Sequence, residues 1–250
     1  MDQSWHRRWR QSAIELLFPP CCALCGEECP SPTADLLTCD ACQQSLQPKP
    51  AHVCARCAMP CPALPSPDRC CVHCRGLRLR FDAACTLGPY EGALREVVLK
   101  MKNAEYESLA HHMGLLLERH LRRHQAEPSI DLVTCVPMHW AKRWWRGTNS
   151  AETLARAVAF HSRLPCYTDL VRCRRLLRRQ SSLTGNERRK NVRRAFSLAR
   201  GFDIVGAHVL VIDDVLTTGA TANEVSKALH RAGADRVTVA AIARGTGHKS

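Results

Sequence analysis

No run of apolar residues in the 250-residue sequence is long enough to span a bilayer, so no integral membrane segment is expected. A secretory signal is missing as well: Arg7, Arg8 and Arg10 precede only the short patch from Ile14 to Phe18, which Glu15 interrupts and Pro19-Pro20 ends. These two absences point to a cytoplasmic protein. Wholesale disorder is excluded by 45% apolar and 24% charged residues, a globular composition. Acidic residues are in short supply, 23 against 36 lysines and arginines, for a formal charge of +13. The length allows one ordinary domain plus a small appendage.

What the chain has in excess is cysteine. Twelve of its 16 cysteines fall between Cys21 and Cys74. In a reducing compartment such density reads as metal thiolates rather than disulfides. A shift of 32 residues lays Cys22, Cys25, Cys29, Cys39 and Cys42 onto Cys54, Cys57, Cys61, Cys71 and Cys74. Each copy is C-x2-C-x3-C-x9-C-x2-C, and two C-x2-C knuckles close one tetrahedral four-cysteine zinc site. The expected ligands are Cys22, Cys25, Cys39 and Cys42 for one ion, and Cys54, Cys57, Cys71 and Cys74 for a second. Cys21 and Cys70 shift onto Val53 and Thr38, which favours the inner cysteine of each adjacent pair. Cys29 and Cys61 are surplus and read as small apolar fillers. Sequential pairing of the knuckles suits tandem ribbons, and the spacing leaves crossed pairing open. All ligands are thiolates in either case, so both zinc ions would be structural, stapling a segment too poor in core to fold alone.

From Phe81 onward strands alternate with helices. Gly92 to Lys102, Leu109 to Leu121 and Asn149 to Ser162 carry apolar residues at helical spacing. Asp131 to Pro137, Val209 to Ile212 and Val237 to Ile242 read as buried strands. Such alternation predicts a parallel sheet covered on both faces, with ligands bound at the carboxyl ends of its strands. The strand Val209 to Ile212 leads there into Asp213-Asp214 and the loop Val215-Leu-Thr-Thr-Gly-Ala-Thr221, followed by a helix through Ala232 that Gly233 caps. Thr221 and Glu224 have capping-box spacing. Small residues at a helix N-terminus let amides close on a phosphate, and Thr217, Thr218 and Thr221 add hydroxyls.

Val209 to Thr221 resembles the binding signature of type I phosphoribosyltransferases, which recognise phosphoribosyl pyrophosphate (PRPP). The resemblance implies that Asp213 and Asp214 hold the ribose hydroxyls and act at the reaction centre, while Thr217, Thr218, Gly219, Ala220 and Thr221 hold the 5-phosphate. It also implies Mg2+ bound with PRPP. Over roughly residues 15 to 245 the whole chain is similar to the ComF family, ComFC/GntX type. Further matches lie at Arg146-Gly147-x-Asn149, Gln180-x-x-Leu183, Arg188-x-x-Asn191 and Phe196. The implied fold class is α/β: a parallel-sheet type I phosphoribosyltransferase domain at 79–250, preceded by a small double zinc-ribbon domain at 20–78 and an N-terminal helix at 1–19. Thr148 and Ser150 stand where family members commonly have Phe and Gln. Thr217 stands where purine-salvage relatives place an acid. Met1-Asp2 replaces the cysteine of glutamine amidophosphoribosyltransferases.

The resemblance implies a link to DNA uptake and use, with PRPP as ligand, phosphoribosyl transfer to an unnamed acceptor or PRPP-dependent regulation as roles, and DNA-uptake machinery as a partner. Single-stranded DNA is a further expected partner on the residues themselves. Residues 172 to 200 hold eleven basic groups against Glu187, and Trp140, Trp144 and Trp145 alternate with Lys142, Arg143 and Arg146. Those three cations also follow the strand end where this fold grips pyrophosphate.

Overall fold

The computed structural model describes residues 21–29, 38–46, 52–61, 71–124, 129–177 and 184–245. The expected N-terminal helix, Gln180 to Leu183 and Cys70 lie outside these. The chain divides into two compact units, Met1–Gln47 and Pro48–Ser250.

In the first unit, the described residues are a knuckle at Cys22 to Cys25 and helix α1 (Asp40–Leu46). Cys22 N–H donates to Glu27 O and Gly26 N–H to Cys22 O, both at 2.8 Å, and Cys21 bridges Glu28. The same turn recurs 32 residues later: Cys54 N–H donates to Met59 O, Ala58 N–H to Cys54 O, and Val53 bridges Pro60. Its closing residue takes a left-handed backbone in both copies, Gly26 at φ +80° and Ala58 at φ +55°. That conformation costs an alanine about 1 kcal/mol or more, and the Ala58 methyl offsets it by packing, fully buried, among the core residues of the larger unit.

The second unit is built on a parallel sheet of β1 (Ala83–Pro89), β6 (Arg236–Arg244), β5 (His208–Leu216) and β2 (Leu132–Cys135), in that order. Its strands read as near-continuous apolar runs because both faces are covered. Val209, Val211, Val237 and Val239 share a core with Val225 and Leu229 of α7 (Ala220–Arg231) and with the antiparallel pair β3 (Val171–Cys173) and β4 (Phe196–Leu198). Leu210 and Ile212 point the other way, towards α5 (Ser150–Ser162), on which α3 (Glu107–His124) packs. There α3 lies so close to α5 that a Cβ on Gly114 would sit 2.5 Å from the Ala157 methyl. Both edges of the sheet are closed. Ala84 N–H of β1 donates to Ala55 O of the Cys54 to Cys57 knuckle at 3.0 Å, and Tyr167 N–H donates to Val133 O of β2 at 2.9 Å.

The helices read from periodicity are present as α2 (Gly92–Lys100), α3, α5 and α7, joined by α4 (Trp140–Arg146) and α6 (Gly185–Val192). Two expectations need correction. The strand from Val209 runs on to Leu216 instead of ending at Ile212, because β6 continues beside it and pairs Val215 with Ala243 and Leu216 with Arg244. Asp213 and Asp214 are therefore strand residues. The capping box at Thr221 and Glu224 does not form: the cap of α7 is Gly219 at φ +72°. Glu224 instead accepts from Arg194 N–H at 2.8 Å and pairs with Lys227. The box that does form is Thr184 with Glu187, at the start of α6.

Candidate ligand cavity and metal clusters

At the carboxyl end of β5 lies a cavity of about 480 Å³ whose walls include Asp213, Asp214, Thr217, Gly219, Ala220 and Thr221. Its position follows from the sheet: β5 is the inner strand that turns directly into a helix, so its last residues and the first turn of α7 face one space. One oxygen of each carboxylate is used locally. Asp213 Oδ1 accepts from Asp214 N–H at 2.9 Å and Asp214 Oδ1 from Val215 N–H at 2.8 Å. Burial at the sheet end, and then the neighbouring Asp214 charge, raise the Asp213 carboxyl well above the usual carboxylate range. Lys102 opposes that rise and also lines the cavity. Two crowded acids at a sheet end are relieved by a cation or by hydroxyl donors.

The loop itself is shaped to admit an anion. Gly219 adopts a left-handed backbone that L side chains rarely take, and the buried ring of Phe81 packs directly beneath it. The first turn of α7 then presents Ala220, Thr221 and Ala222 to the cavity with the positive end of the helix dipole. Thr218 has a different place from Thr217 and Thr221: its Oγ1 accepts from Ala220 N–H at 3.3 Å and tightens the turn.

The opposite wall is the loop after β2, Val136 to His139, with the buried pair Asn149 and Ser150. Arg143, a candidate pyrophosphate cation, is exposed and paired with Glu152 at 2.7 Å. The side chains of Lys142, Trp145, Arg146 and Arg188 lie outside the described residues. Lys102 was not legible as a site residue. It closes an ordinary amphipathic helical pattern, and only the packing of α2 beside the sheet brings it to the cavity.

The cysteines gather as two sets of four, Cys22, Cys25, Cys39 and Cys42, and Cys54, Cys57, Cys71 and Cys74, with the sulfurs of each set within 4.8 Å of one another. Knuckles are paired sequentially, first with second and third with fourth. Sulfur separations of 3.8 Å for Cys25 and Cys39, 3.7 Å for Cys54 and Cys74 and 3.6 Å for Cys57 and Cys71 are far too long for disulfides. They match the edge of a tetrahedron with metal–sulfur bonds of about 2.3 Å, roughly 3.8 Å. Burial pushes Cys57 up to about 12 and raises Cys74, whereas at Cys22 burial is outweighed by backbone hydrogen bonds from Cys25, Cys39 and Leu24, which bring it to about 6. Four thiolates so close together require a cation. Both clusters could therefore hold structural metal ions. Cys29 and Cys61 stand apart, their thiols turned to Glu27 O and His52 O.

Comparison with known proteins agrees with this architecture. Residues 151–249 match the phosphoribosyl transferase domain family. The chain is 28% identical over 179 residues to competence protein F of Haemophilus influenzae, covering 70% of this chain and 78% of that protein. It is 26% identical over 235 residues to the DNA utilization protein YhgH of Salmonella typhi, covering 92% and 99%. It is 36% identical over 99 residues to competence protein ComFC of Streptococcus pneumoniae, covering 40% and 41%.

Elemental analysis of the dialysed protein should find about two divalent ions per chain. Cys22→Ser and Cys54→Ser should each lose one, while Cys29→Ser and Cys61→Ser keep both. Loss of an ion from Cys29→Ser would contradict the ligand sets.

Proposed function

We propose that this chain, which is of the ComF type by its relatives, its phosphoribosyl transferase domain and its two four-cysteine clusters, binds PRPP in the cavity at the end of β5. The observation that carries the proposal is the convergence of the Asp213 and Asp214 carboxylates with the first turn of α7 on one cavity. The second oxygens of the acids accept from the ribose 2- and 3-hydroxyls. Thr217, Thr221 and the amides at Gly219 to Thr221 take the 5-phosphate, with Thr218 holding the turn. Magnesium, when bound with PRPP, neutralises pyrophosphate charge. Lys102, at the wall near Asp213, adds a cation of the chain itself for that purpose. The loop supplies a hydroxyl at Thr217 where a general acid or base would be needed for transfer to a purine, so the proposal is confined to PRPP binding. Zinc is the ion that best suits eight thiolates at tetrahedral spacing, and the role of both ions is structural. The names of the relatives support placing this PRPP-binding protein in the handling of DNA.

A second reading, contact with single-stranded DNA, is favoured by Trp140 and Trp144, 73% and 88% exposed on α4. Large aromatic faces left in water beside cations suit base stacking. Arg172, Arg189, Lys190 and Arg193 are exposed in the basic stretch. The Arg175 guanidinium donates to the carbonyls of Asn191 and Arg193.

For PRPP, titration calorimetry with magnesium should show saturable binding to the wild type, and Asp213→Asn with Asp214→Asn should abolish it while leaving the circular dichroism unchanged. Thr218→Ala should weaken binding less. Unaltered affinity in the double variant would refute the proposal. For DNA, the logarithm of affinity should fall with the logarithm of salt at roughly −0.7 per phosphate contact. Neutralising Arg172, Arg189 and Arg193 together should flatten that slope, and Trp144→Ala should lower affinity without flattening it. A slope unchanged by the arginine variant near physiological salt would exclude the basic stretch as the contact.

A further inference from the structure

Arg244 is the last residue of β6, and its side chain is buried at 8% exposure. A guanidinium in that position must find acceptors or pay heavily for desolvation. Among the described residues it has no carboxylate partner; it has four carbonyl oxygens. Its Nε donates to Cys57 O at 2.8 Å. Its Nη1 donates to Leu216 O at 2.7 Å, to Gly245 O at 2.6 Å and to Thr217 O. One end of the fork thus grips the backbone of a metal-cluster cysteine. The other grips the two residues that carry β5 into the anion loop. The backbone reinforces the second grip, since Gly245 N–H donates to Leu216 O at 3.0 Å. A Cβ on Gly245 would lie 3.1 Å from the Thr217 methyl, so the contact has little slack.

The charge balance is completed by the cluster. Four thiolates around a divalent ion are formally dianionic, so a metal-loaded second cluster is the counter-ion that the buried Arg244 otherwise lacks. It also fixes the Cys57 carbonyl by fixing the knuckle.

We propose that Arg244 is a positioning residue for the phosphate loop, and that through it metal occupancy of the Cys54, Cys57, Cys71 and Cys74 cluster and anion binding at Thr217 to Thr221 favour one another. This inference rests on the reading of the loop as a phosphate site. It makes the second cluster more than a staple: a chain that has lost that metal keeps every residue of the cavity and still loses the loop geometry.

Linkage is reciprocal, so the wild-type protein can be used directly. The full metal-loaded chain is titrated with a colorimetric chelator, with and without saturating ribose 5-phosphate and magnesium. Ribose 5-phosphate lacks the pyrophosphate that would itself compete for metal. Binding of the sugar phosphate is measured separately by calorimetry. One of the two metal ions should become about fivefold harder or more to extract when the ligand is bound. In Cys22→Ser, the one remaining ion should be the protected one. In Arg244→Gln, protection should vanish and ribose 5-phosphate affinity should fall at least fivefold, with Arg244→Lys restoring little because it lacks the fork. Ligand binding that protects neither ion, or protection that persists in Arg244→Gln, would overturn the proposal. Absence of ligand binding to the wild type would instead refute the cavity reading on which it rests. The wild-type measurement decides even if the variants fold poorly.

Discussion

Strand β5 is hydrogen-bonded on both sides, to β2 through Leu132 to Cys135 and to β6 through Arg236 to Arg244. That double pairing is the constraint on which the candidate site depends. It carries two acidic side chains in regular strand geometry to the rim of a mainly apolar sheet, and then releases the chain at Thr217 into a turn that only a left-handed Gly219 completes. The helix that follows is held down by Val225 and Leu229 on the same core that buries Val209 and Val211. Carboxylates and helix N-terminus are therefore positioned by one continuous apolar core, and their separation cannot drift without unpairing the sheet.

The metal clusters solve a different problem. Apart from the cysteines, the second cluster packs few apolar residues among those described, chiefly Met59 and Leu79. A structural ion contributes folding energy on the order of 10 kcal/mol where such a core contributes little. The same cluster caps the open edge of β1 through Ala55, which protects a strand that would otherwise offer an unpaired ladder. Arg244 makes this attachment chemical as well as mechanical. A buried cation between a thiolate cluster and two loop carbonyls joins the electrostatics of one site to the geometry of the other.

Sequence alone was most informative where chemistry forced regular spacing. The cysteine repeat named both ligand sets, and the structure gathers those eight residues and leaves Cys29 and Cys61 out. The acid pair and its loop were legible because a strand, two carboxylates and a small-residue turn are contiguous in the chain. The sequential pairing of knuckles was not, since spacing permits both pairings and only the fold of each turn selects one. Strand β1 was illegible for a different reason: Ala-Ala-Cys-Thr-Leu-Gly-Pro has scant β-branched content and is a strand because β6 pairs with it. Lys102 and Arg244 were out of reach because their roles are created by tertiary contact over long sequence separations. The capping box at Thr221 shows the converse hazard. Its spacing is right, but the helix begins at a glycine two residues earlier, and Glu224 is needed elsewhere.

The central claim is that the Asp213 to Thr221 segment receives PRPP. Amide hydrogen exchange with and without magnesium and PRPP tests it most directly, because it reports which backbone the ligand covers. The account predicts slowed exchange concentrated at residues 217 to 222, with α4 and residues 184 to 200 unchanged. Protection confined to α4 or to 184 to 200, with the loop exchanging as freely as before, would contradict it.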